Sequence, residues 1–134
     1  MLFGIQGMAI WRSNSGERKE IWDEEIQSPI DDLQAAHRIR AICRSAADSA
    51  EKIARAVDRK DNKRETERYE RAARAAMEIA LKISDGLLRD SSVRQIVNLC
   101  VAADDLKTAR ILFRAVQAAS IREDILTEHP ILRQ

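Results

Sequence analysis

Aromatic residues, glycine, proline and cysteine are all scarce in this chain of 134 residues, and each scarcity narrows what it can be. Aromatics make up only 4%. Valine and threonine are few and no alternating run appears, so the material of a β-sheet is missing. Four glycines and two prolines leave long stretches without a helix breaker. The two cysteines, Cys43 and Cys100, are far apart and each falls on an apolar helical face; they read as buried free thiols, which fits a reducing cytoplasm. With two histidines at no close spacing they make no zinc site. No apolar run approaches the ~18 residues of a membrane-spanning helix, so no membrane partner is expected. An excess of charge is also lacking. Twenty-three basic against 22 acidic residues leave a net charge of +1, and nucleic acid is not expected as the main partner. Gly-rich phosphate loops, Gly-x-Ser-x-Gly and Glu-x-x-His pairs are absent, and no cofactor is expected.

What remains is charged (34%) and rich in alanine, about twenty residues of the 45% apolar total. Alanine lets helices approach closely while burying little area, at ~25 cal/mol per Å². The core should be thin and tight, so a partner or a second copy of the chain could add burial. Arginine outnumbers lysine nearly three to one, a bias common in GC-rich bacterial genomes.

Two parts are expected: an apolar arm and linker over residues 1–16, and one all-helical domain over 17–134. The arm carries Leu2, Phe3, Ile5, Met8, Ile10 and Trp11 but has neither the basic start nor the cleavage site of a signal peptide, and Met8 offers an alternative start. A short helix over 17–27 would bury Ile21, Trp22 and Ile26. Phe3, Trp11 and Trp22 are three of the few aromatics, and they are the partner-binding candidates; folding back onto the chain's own bundle is the competing destination.

Ser28-Pro29-Ile30-Asp31 has the form of a helix start. The helix after it places Ile39, Cys43, Ala46, Ala50, Ile53 and Val57 on a heptad-like seam, with His37 at a helix contact or edge. Residues 58–68 contain no apolar side chain. A turn near 59–62, with Asn62 and Glu65 as a capping box, is one reading of this run, and a single unbroken helix is the other. Next comes a helix burying Tyr69, Ala72, Ala73, Ala76, Ile79, Ala80 and Ile83, ended by Asp85-Gly86. Ser120 to Glu123 suggests a capping box for a last helix running to Glu128, stopped at His129-Pro130, with residues 131–134 fraying. The fold class is therefore all-α: a compact antiparallel bundle of four main helices, with a short helix at each end.

The central expectation is a hairpin. Val93, Ile96, Val97 and Cys100 share one helical face, as do Ala109, Phe113 and Val116, and Asp104-Asp105-Leu106 turns the chain between them. Residues around 80–93 and 113–126 repeat with an offset of 33. Asp104 to Ala109 resembles the Gly-Asp-Tyr-x-x-Ala turn of tetratricopeptide repeats, with Ala109 where two helices nearly touch. Asp104 replaces the usual glycine, and the closing proline is missing at Ile121. The resemblance covers roughly residues 72–126 and implies protein binding through helix faces without catalysis. A second resemblance points elsewhere. Arg122 and His129, with six residues between them, are similar to the Arg-x4–6-His signature of HEPN-type helical ribonucleases, in which arginine steadies a phosphate and histidine moves a proton. That implies metal-independent RNA cleavage, although Glu123 would repel RNA. The two expectations, in order, are a protein-interaction module and a ribonuclease.

Overall fold

The computed structural model describes residues 20–24, 30–55 and 59–133. Its elements are a 3-10 turn (Ile21–Asp23), then α1 (Asp32–Ala54), α2 (Arg59–Ala80), α3 (Gly86–Ala102), α4 (Leu106–Ala115) and α5 (Ala119–Glu128), and a closing 3-10 turn (Pro130–Arg133). The described residues form an all-α helical bundle and contain no strand. Helices α1, α2 and α3 run up, down and up, and α3 also packs against α4 and α5.

Helix ends are set by side chains that meet exposed backbone amides, and several differ from expectation. Asp31, not Ser28, caps α1: its carboxylate accepts from Gln34 N at 2.8 Å while Gln34 Oε1 accepts from Asp31 N. Ser28 and Pro29 lie outside the described residues, as does Val57. Helix α1 ends at Ala54, so it does not continue into α2, and α2 has already begun at Arg59. Asn62 is therefore inside α2, where its Oδ1 accepts from Thr66 Oγ1. Residues 59–68 are thus helical and contain no turn; residue 58 lies outside the described residues.

Asp85-Gly86 does not end α2, which closes at Ala80. Asp85 is the N-cap of α3, accepting from Leu88 N at 2.8 Å, and Gly86 is that helix's first residue. The preceding corner is clasped from α1: the Asp32 carboxylate accepts from the Ser84 N–H, the Ser84 hydroxyl and the Asp85 N–H. These bonds, Ser84 N first, hold the Asp32 carboxyl below the usual aspartate value.

The hairpin is present. Helix α3 packs on α4, and Val93, Ile96, Val97, Cys100, Ala109, Phe113 and Val116 are all buried. Its turn explains how an aspartate replaces glycine. Asp104 takes a positive φ of 61°, a region Asp tolerates better than most residues. Asp104 N donates to Val101 O and Asp105 N to Cys100 O, closing the last carbonyls of α3. Asp105 then caps α4 through Thr108 N.

The burial on α1 is wider than a two-helix seam. Ala35, Ile42 and Ser49 join Ile39, Cys43, Ala46 and Ala50 because α1 faces both α2 and α3. Helix α2 contributes the expected Tyr69, Ala72, Ala73, Ala76, Ile79 and Ala80. Residues 131–133 differ from the fraying expected of 131–134: the closing turn buries Leu132, and Arg133 meets Glu123 at 3.3 Å, while Gln134 lies outside the described residues.

Candidate interaction surfaces

Of the aromatic candidates, Phe3 and Trp11 lie outside the described residues. Trp22 is buried in its own chain, 6% exposed, with the Arg68 guanidinium 4.8 Å from its ring centroid. It packs on its own bundle, the fold-back destination. Arg68 also donates to Glu20 Oε2 and to Ser49 Oγ, each at 2.6 Å, and Ser49 donates to Glu65 Oε1 at 2.8 Å. Arg71 pairs with Asp23 at 2.6 Å. These contacts fasten residues 20–23 to α2 and give the fully buried Ser49 its partners.

The Arg122–His129 pair is occupied by structural work. Arg122 Nη1 donates to Phe113 O at 3.2 Å and Val116 O at 2.8 Å, and its guanidinium lies 4.3 Å from the Phe113 ring centroid. It closes the C-terminus of α4. His129 Nε2 meets Asn98 Oδ1 at 2.8 Å, tying the end of α5 to α3.

Helix α5 is capped from a distance. Its N-cap is Ala118, which has no side-chain acceptor; the expected Ser120 box is not used. The carboxylate of Asp90 on α3, 3% exposed, accepts from Gln117 N at 3.0 Å and Ala118 N at 2.8 Å. Asp90 and Arg122 thus satisfy, from two sides, the amides and carbonyls of the α4–α5 link.

The thiols are free and buried. Burial pushes Cys43 up to about 12 and Cys100 up to about 11, so neither is a ready nucleophile. Tyr69, likewise pushed up by burial, donates to Asp105 Oδ2 at 2.7 Å. Burial would raise the Asp105 carboxyl, yet bonds from Tyr69 and Thr108, with Lys107 nearby, hold it below the usual value. Among the described residues no group of three or more His, Cys, Asp or Glu is placed to hold a metal, and no helix is long and apolar enough to cross a membrane.

Two surfaces stand out, and the sequence reading missed both. At the corner where Asp32 clasps Ser84 and Asp85, three large apolar side chains face solvent: Leu33 is 66% exposed, Leu81 73% and Leu87 61%. Beside them Asp32, Asp85, Leu87, Leu88 and Ser91 line a depression of about 430 Å³. His37, one turn along α1 from Leu33, is exposed rather than in a helix contact. The second surface is a groove of about 450 Å³ between α1 and α3, lined by Arg40, Arg44, Gln95 and Asn98 over Cys43 and Leu99. The exposed leucines carry a signal in the sequence, since all three lie within two residues of a helix boundary, where the apolar pattern no longer fits one face. The groove carries none, because its walls are distant in the chain.

No protein-family model, no curated protein and no solved structure matches this chain.

Proposed function

We propose that this chain is a cytoplasmic protein-interaction module without catalysis of its own, which binds another protein or a second copy through helix faces. The observation that carries the reading is the leucine corner. Single exposed leucines are ordinary, but three at one junction of a surface otherwise rich in charge mark a place where another molecule removes them from water. Burying each contributes about 1.5–3 kcal/mol before the cost of association. The resemblance of the sequence from Asp104 to Ala109 to a tetratricopeptide-repeat turn implies the same use, and the buried free thiols fit a reducing compartment. Phe3 and Trp11 on the N-terminal arm would supply further anchors.

The test compares the wild-type chain with a Leu33→Glu/Leu81→Glu/Leu87→Glu variant by light scattering over a range of concentrations and by affinity capture from the native host. The variant should keep its melting temperature and lose either self-association or a co-purifying protein. A wild-type chain that is monomeric throughout and captures the same proteins as the variant would refute the reading.

A further inference from the structure

The groove between α1 and α3 has a chemistry the leucine corner lacks. Arg40 and Arg44 stand one turn apart on α1, about 6 Å along the axis, and both are exposed. Some other arginines are held by carboxylates: Arg68 by Glu20, Arg71 by Asp23, Arg94 by Asp124 and Glu128. Among the described residues, neither Arg40 nor Arg44 has a carboxylate partner and no acidic side chain lines the groove.

The opposite wall adds donors. Asn98 Oδ1 meets His129 Nε2, and the amide's NH2 is a donor on this wall. Gln95 sits one turn before it on the same wall. The floor between the walls is apolar, formed by Cys43 and Leu99, which are 8% and 4% exposed. A ligand that fits must carry negative charge at a spacing of about one helical turn and a small apolar group between.

We infer that this groove receives an acidic amphipathic helix of a partner protein, with carboxylates four residues apart meeting Arg40 and Arg44 and an aliphatic side chain seated over Cys43 and Leu99. Charge complementarity identifies the occupant. A nucleic-acid strand fits less well, since the groove has no aromatic platform for bases and the chain's net charge is only +1. The inference rests on the interaction reading but on a different face. The leucine-corner variant leaves the groove intact, so either reading can fail without the other.

The probe is a fluorescein-labelled synthetic helical peptide with glutamates four residues apart around a leucine, titrated with the full-length chain near physiological salt. Matched peptides carry glutamine or lysine at the glutamate positions. The glutamate peptide should bind at least about tenfold more tightly than the glutamine one, a difference of about 1.4 kcal/mol. The Arg40→Glu/Arg44→Glu variant, whose altered side chains are exposed, should melt like the wild type and transfer the preference to the lysine peptide. In amide NMR spectra the side-chain NH2 signals of Gln95 and Asn98 should move with the glutamate peptide. Equal binding of the glutamate and glutamine peptides would overturn the inference. So would a charge-reversed chain that still prefers glutamate, or inorganic phosphate or polyuridylate displacing the peptide at concentrations below its own.

Discussion

Replacing Asp90 with alanine isolates one contact on which the C-terminal part of the bundle depends. The carboxylate is 3% exposed and accepts two backbone hydrogen bonds, from Gln117 N at 3.0 Å and Ala118 N at 2.8 Å. Hydrogen bonds to a charged group contribute about 1.5–3 kcal/mol each. Gln117 is exposed and water can replace its partner, so the lower end applies there; Ala118 is half-buried and loses more. The negative charge also faces the positive end of α5, contributing roughly 0.5 kcal/mol. Against these stands the cost of keeping a carboxylate out of water, which alanine removes. The net loss for Asp90→Ala should be about 2–4 kcal/mol, a large share of a domain's usual ~5–15. Asp90→Asn keeps an acceptor and loses the charge, so it should cost about 1 kcal/mol. Urea unfolding followed by circular dichroism measures the midpoints, with the slope unchanged if the transition stays two-state. Hydrogen exchange locates the effect, and amides of 119–128 should exchange faster than those of α1. An alanine variant within about 0.5 kcal/mol of wild type would show that desolvation cancels the two bonds, and the account of a cap supplied from α3 would fall.

Two further outcomes test the rest of the fold. Ala109, with no exposed surface at the α3–α4 contact, should not accept a larger side chain: Ala109→Leu is expected to lower stability by about 1–3 kcal/mol in the same urea assay, and a neutral result would mean the helices do not touch there. Asp32 and Asp105 both have carboxyls held below the ordinary aspartate value, so their stabilising effect is complete above that value and is lost as pH falls through the lowered folded values. Stability should therefore drop on the acid side of about pH 4, and Asp32→Asn should flatten that drop; an unchanged acid limb would disprove the role given to the Asp32 clasp.

Helical periodicity made the interior legible from the sequence. The faces of α2 and α3 and the hairpin residues from Val93 to Val116 are buried as their spacing requires, because a 3.6-residue period is a property of the chain itself. Helix ends were less legible because several residues compete to cap the same amides. Ser28 and Asp31 both had the right chemistry, and the box completed by Gln34 selected Asp31. Asp85-Gly86 can close one helix or open the next, and the Asp32 carboxylate held the corner so that it opens α3. What lay beyond reach is what joins distant residues. Ser120 and Glu123 advertised a local cap for α5, yet Asp90, 27 residues before Gln117, supplies it. The arginine groove exists because α1 and α3 run alongside each other with α2 intervening in the chain, and no local pattern encodes that neighbour relation.

Helices α1 and α2 contribute Ala46, Ala50, Ala72 and Ala76 to the core, all with no exposed surface. A methyl group leaves almost nothing to trim and no room to enlarge, so these sites can exchange only with glycine or serine at modest loss, whereas Ile39, Ile42 and Ile79 can trade among aliphatics of similar volume. Descendants of this sequence should therefore drift freely along the charged outer faces and even repack their isoleucines, while the ladder of small residues at four-residue steps stays fixed. That ladder, more than any surface residue, is the mark by which a distant relative of this bundle would be known.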